Sequence, residues 1–102
     1  MSAYLLTPLA KADIFSIWSH IANSSESAAE RVESAIFEAC AFVAESAESG
    51  HSRADLTNRP VRFWTLTRYP NYSIVYLPEA VPIQIIAVLH GRRNIARVLR
   101  QR

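Results

Sequence analysis

The spacing of the apolar residues changes partway along the chain, and that switch limits the possible folds more than any other feature. Through Val43 they recur every three to four positions, the period of an amphipathic helix; from Val61 onward they crowd into short β-branched and aromatic runs. A chain that is helical first and strand-forming afterwards places helices on one face of a mostly antiparallel sheet, an α+β arrangement, rather than alternating β-α units. At 102 residues it has room for a single domain, read as spanning 1–102.

Local signals fill in the order. Residues 3–7, AYLLT, form a short apolar strand, either at the edge or inside the sheet. Thr7 is an N-cap candidate and Pro8 takes the first helical position, where its missing N–H costs nothing. Ile14, Ile17, Trp18 and Ile21 make the stripe of that first helix. Ser27 followed by Glu30 reads as a capping box for a second helix, with Val32, Ala35, Ile36, Ala39, Phe42 and Val43 as its stripe and Gly50 as its stop signal. The short connection makes the pair an antiparallel hairpin.

VRFWTLTR, YSIVYL and IQIIAVLH, separated by YPN and PEAVP, then read as a three-stranded meander. In the last run strict alternation puts Ile83, Ile85, Ala87 and Leu89 on one face and Ile86 and Val88 on the other, which suits an inner strand or a face kept for a partner. NIARVLRQR closes as a short helix with Ile95, Val98 and Leu99 inward. The expected core joins Ile14, Trp18, Ile21, Val32, Ile36 and Val43 to Ile74 and Ile85, and the sheet face opposite the hairpin is expected to lie open.

Half the residues are apolar and a fifth are charged, a globular rather than disordered composition. No charged-then-apolar leader and no long apolar span is visible, so the expected setting is cytoplasmic, with no membrane contact. Cys40, the single cysteine, is expected to act as a small buried hydrophobe in a reducing compartment. The net charge of +2 hides a segregation. Residues 1–50 hold two basic against seven acidic side chains, net −5; residues 51–102 hold nine arginines against Asp55 and Glu79, net +7. Such an imbalance suits an acidic partner or a nucleic acid on the basic side, or simply a solvated surface.

Few residues mark chemistry. His20, His51 and His90 lack ligand-like spacing, and Gly50 and Gly91 are too few for a phosphate-cradling loop, so neither a metal nor a cofactor is expected. A metal-independent ribonuclease would need an acid, a base and cations on a developing phosphorane, which His90, Arg68, Arg92 and Arg93 would supply if neighbouring strand ends converge. The plainer role for His90 is a strand-end histidine bonded to backbone. For Trp18 and Trp64 it is core packing, and for Tyr69, Tyr72 and Tyr76 it is sheet packing, with Tyr69 beside Pro70 the most exposed of the three.

Ala10–Ile14 as A-x-x-D-I, the helical hairpin, NYSIVY and IIAVLHGRRN occur together, in this order and over nearly the whole chain. This combination resembles the RelE/ParE superfamily of toxins from bacterial toxin–antitoxin pairs. The resemblance implies the α/β fold of that superfamily and a bacterial or archaeal cytoplasm. It also implies a partner, a small antitoxin with a DNA-binding N-terminal part. The charge segregation and the apolar surface to be covered add the expectation that an extended or helical acidic-apolar segment of that partner wraps the hairpin and the open sheet face. One branch cuts messenger RNA on the ribosome and the other, ParE, poisons DNA gyrase. Ribonuclease-branch toxins place an arginine straight after the tyrosine of the third strand, where this chain has Ser73, and a tyrosine or histidine near the C-terminus, where it has Leu99 and arginines. Arg93 alone matches the arginine expected after the last strand. The resemblance therefore implies a ParE-like gyrase inhibitor that acts by binding, with Arg68, Tyr69, Arg92, Arg93, Arg97 and Arg100 as docking residues for target or antitoxin. The alternatives are a RelE-like, ribosome-dependent endoribonuclease using His90, Arg93 and Arg68, and an inactive toxin-like binding module.

Overall fold

Thr7 ends the first strand and opens the first helix within one residue. Its backbone is extended and its hydroxyl accepts from the Ala10 N–H at 3.2 Å, with Pro8 next in the chain. The computed structural model describes residues 3–91 and 95–102. Its elements run β1 (Tyr4–Leu6), α1 (Pro8–Ala22), α2 (Glu26–Glu45), β2 (Arg62–Thr65), β3 (Tyr72–Leu77), β4 (Ile83–His90) and α3 (Ile95–Arg100), the order expected from the periodicity. The sheet order is β1-β4-β3-β2: β1 is parallel to β4 and the other pairings are antiparallel. The first strand is thus an edge, and β4 is the inner strand that its two-sided apolar pattern suggested.

Both helices of the hairpin pack on one another, and a core of Ala10, Ile14, Val32, Ile36, Cys40 and Val43 meets Ile74, Tyr76, Ile83 and Ile85 from the sheet. Ile21 packs against that core, but Trp18 does not belong to it and is only half-buried. The expected Trp18 anchor is therefore wrong. At 100° per residue the buried line of α1 runs through Ala10, Ile14, Ile17 and Ile21, and Trp18 sits roughly 70° to one side of it. The small Ala10, wholly buried, marks that line better than the tryptophan.

The start of α2 also differs from expectation. The cap is Ser25, whose hydroxyl accepts from the Ala28 N–H at 3.1 Å, and Ser27 lies inside the helix, where its hydroxyl accepts from Arg31 at 3.4 Å. Gly50 does not stop the helix, which ends at Glu45 with Ser46 as its cap, and no glycine has a positive φ. What requires glycine at position 50 is space. Its N–H donates to the buried Tyr76 hydroxyl at 2.9 Å, and a Cβ there would lie 2.5 Å from that oxygen. Tyr76 in turn donates to the Ala47 carbonyl at 2.7 Å, so one phenol ties the segment after α2 to the middle of the sheet.

The face opposite the hairpin is covered, not open. A second core gathers Val61, Phe63, Val75, Ile86, Ala87 and Leu89 under Leu99, with Leu56, Ile95 and Val98 around it. The short α3 and the 52–61 segment together form this third layer. The alternation expected for β4 fails for a related reason. The register shifts between Val75↔Ala87 and Tyr76↔Ile85, leaving Ile86 as an extra bulged residue. Ile83, Ile85 and Val88 consequently join the hairpin core, while Ile86, Ala87 and Leu89 join the second one. One added residue reverses the faces of everything after it.

Candidate functional site

Several of the arginines that make the second half basic are built into the fold. Arg102 lies on α1 and β4, not in solvent. Its guanidinium holds Asp13 with both nitrogens, Nη1 to Oδ2 at 2.7 Å and Nη2 to Oδ1 at 2.9 Å, and the two side chains are 12% and 10% exposed. Nη1 also donates to the Ile86 carbonyl at 3.0 Å, and Asp13 Oδ2 accepts from the Val88 N–H at 2.9 Å. The reason for this arrangement is the shortness of β1. Its pairing with β4 ends at Leu6↔Ile85, with one further bond from the Thr7 N–H to the Ile85 carbonyl. Beyond that point an inner strand would carry unpaired backbone groups, and this ion pair supplies their partners in place of strand residues.

Further arginines make contacts of their own. Arg59 donates to the Leu99 carbonyl at 3.1 Å, Arg62 to the carbonyls of Glu48 and Gly50, and Arg53 pairs with Asp55 on the surface. In the last pair the guanidinium pulls the Asp55 carboxyl below its ordinary range, chiefly through the hydrogen bond. Arg59 and Arg102 together fix α3 over the second core.

The residues singled out from sequence fall in separate places. Arg68 is exposed in the β2–β3 turn, whereas Tyr69 is half-buried and packs on the hairpin core. Arg97 and Arg100 are exposed on α3. Arg92 and Arg93 lie outside the described residues. His90 ends β4 with its ring 5.3 Å from that of Tyr72, in a cleft that also involves α1 but not Arg68. Of the groups named for ribonuclease chemistry, His90 and Arg68 thus line different cavities.

Arg68 instead rims a groove along the outer flank of α2. Ala35 and Ala39 keep its floor low; Phe42, Trp64 and Leu66 make its apolar wall, and Glu38 and Arg68 its charged edges, around a volume of about 360 Å³. A second hollow of about 350 Å³ continues it toward the start of α2 past Ser34, Arg31 and Ser27. Phe42 is 44% exposed, and its ring stacks at a tilt on Trp64, with centroids 4.8 Å apart. The expected stripe placed Phe42 in the core; the wheel puts it and Ala35 on the flank, facing the β2 edge. The legible signal was the pair of alanines beside an aromatic, a helix flank too small to fill its own groove.

Burial pushes the Cys40 thiol up to about 12, so it is a packing residue and not a nucleophile. Among the described residues no three His, Cys, Asp or Glu side chains gather as metal ligands, and no helix is long and apolar enough to cross a membrane.

Comparison with known proteins places this arrangement. A solved chain of the chromosomal ParDE TA system from P. aeruginosa superposes with a TM-score of 0.72, covering 88% of this chain and 96% of that one at 24% identity. That likeness establishes the fold: helical hairpin, four-stranded mixed sheet and short closing helix. No curated protein matches the sequence. The family model for the ParE toxin of the type II toxin–antitoxin system, parDE, matches residues 4–95, and the chain belongs to this ParE toxin family. The resemblance read from A-x-x-D-I and the strand sequences is confirmed, and the first motif acquires a physical meaning. Ala10 and Ile14 bury α1, and Asp13 closes the β4 edge.

Proposed function

We propose that this ParE toxin inhibits DNA gyrase by binding it, without catalysis of its own, and that a ParD-type antitoxin neutralises it. The observation that carries the reading is Ser73. At the position where ribonuclease-branch toxins carry an arginine, its hydroxyl pairs across the sheet with the Thr65 hydroxyl at 3.0 Å. A cation that would neutralise a phosphorane is replaced by a cross-strand hydroxyl bond. The separation of His90 from Arg68 supports the same conclusion.

Arginines are the proposed means of target binding: Arg68, exposed beside the groove, and Arg97 and Arg100, exposed on α3, together with Arg92 and Arg93, which follow β4 in the sequence. For the antitoxin the expectation of an open sheet face does not hold, since α3 occupies it. The α2 groove is the better dock. It offers an apolar floor and wall for an amphipathic or extended segment, and Arg68 offers a partner for one acidic side chain. The test is incubation of purified chain with gyrase and supercoiled DNA, alone and after mixing with the antitoxin. Gyrase-linked breaks that the antitoxin suppresses support the reading; unaffected gyrase together with cut ribosomal messenger RNA overturns it.

A further inference from the structure

The later turns of α1 and the ends of β3 and β4 enclose a cleft at the margin of the hairpin core, apart from the α2 groove. Ser16, Ile17 and His20 face Tyr72 and His90 across a cavity of about 290 Å³. Tyr72 and His90 are paired in register, with rings tilted by 58° to one another. The Gly91 N–H donates to the Asn71 carbonyl at 2.7 Å and fixes that end of the sheet. One wall is thus an aromatic wedge set by the sheet, and the other is a helix carrying an exposed hydroxyl and an exposed imidazole.

The chemistry of the lining narrows what fits. Among the described residues it holds two imidazoles, a phenol and a hydroxyl, and neither a carboxylate nor an amine. Each of these polar groups can donate a hydrogen bond. Hard cations need oxygen anions as ligands and find none. Phosphate oxygens, which only accept, suit Ser16 and His20 at the mouth. A flat ring suits the Tyr72–His90 wedge and the Ile17 side chain, because aromatic faces stack on any base. A nucleotide combines both groups. The volume, at the small end for ligand pockets, admits one such unit and not a stacked duplex.

We propose that the His20–His90 cleft holds one unstacked nucleotide of a single-stranded nucleic acid, its base against Tyr72 and His90 and its phosphate toward Ser16 and His20. This contact is separate from gyrase binding and is measured without gyrase. The experiment titrates the whole chain with labelled oligothymidylate, oligouridylate and a duplex of equal length at fixed salt. Either single strand should bind more tightly than the duplex. His20→Ala, at an exposed position that preserves the fold, should weaken single-strand binding roughly tenfold or more, the worth of one charge-assisted hydrogen bond. His90→Gln should do the same, while Arg100→Ala should weaken single strand and duplex alike. Equal affinity for duplex and single strand overturns the proposal, as does single-strand affinity unchanged in His20→Ala.

Discussion

Replacing Asp13 by alanine removes one carboxylate from α1 and should loosen three elements. The substitution leaves the Arg102 guanidinium without its carboxylate in a site where it is 12% exposed, and leaves the Val88 N–H without its acceptor. Breaking a buried ion pair from one side costs about 3–5 kcal/mol, because the remaining charge stays desolvated. Since this pair keeps slight solvent contact, the low end applies, about 3 kcal/mol, or roughly a hundredfold in the folding equilibrium. With a urea dependence of about 1.5 kcal/mol per molar, the unfolding midpoint falls by about 2 M. The assay is urea denaturation followed by circular dichroism and Trp fluorescence. Asp13→Ala with Arg102→Met should recover part of the loss, since no buried charge is then stranded. Asp55→Ala, which breaks the exposed pair with Arg53, serves as the control and should do far less. If Asp13→Ala behaves like that control, the ion pair is not closing the β4 edge and the assignment of Arg102 to the fold is wrong.

Gly50→Ala should destabilise by about 1–3 kcal/mol through overpacking against Tyr76, whereas Gly91→Ala, whose Cβ would meet only the Asn71 carbonyl at 3.4 Å among the described residues, should melt near the wild-type temperature. Ile36→Ala should cost roughly 2–5 kcal/mol in urea unfolding, and the half-buried Trp18→Ala clearly less than the 3–5 of a fully buried aromatic. Burial raises the Cys40 thiol from 9.0 to about 12 and also raises the Tyr76 phenol. The neutral forms therefore contribute stability that is complete below pH 9 and lost as pH climbs toward 12. Denaturation across that window should show a falling midpoint, with a shallower fall in Cys40→Ala. Phe42→Glu and Arg68→Glu should each weaken antitoxin binding in calorimetry, and the Arg68 effect should shrink with added salt; loss of neither affinity nor salt dependence removes the groove from the interface.

Which features the sequence revealed depends on how local their causes are. Thr7–Pro8, the helical stripes and the three apolar runs act within a few residues, and all the corresponding elements form. The bulge at Ile86 depends on how β4 meets β3, so alternation along β4 alone assigned Ala87 to the wrong face. The closed second face depends on α3 returning across the sheet, held by bonds from Arg59 to Leu99 and from Arg102 to Asp13, 40 and 89 residues apart in sequence. Charge counting could not tell Arg102, which is structural, from Arg100, which is exposed. Asp13 left one trace, a single acid beside the apolar stripe of an otherwise acid-free helix. The α2 groove was hidden in the same way, because Phe42 and Ala35 read equally well as core until the β2 edge is placed beside them.

The most direct test of the functional account is gyrase itself. Purified toxin, gyrase, ATP and supercoiled plasmid are incubated, trapped with detergent and protease, and scored for linear DNA, while translating ribosomes with a defined message receive the same toxin in parallel. The account predicts linear DNA that rises with toxin concentration and disappears on prior mixing with antitoxin, with the message intact. Codon-positioned cuts in the message that vanish in His90→Ala, with no linear DNA, would contradict it.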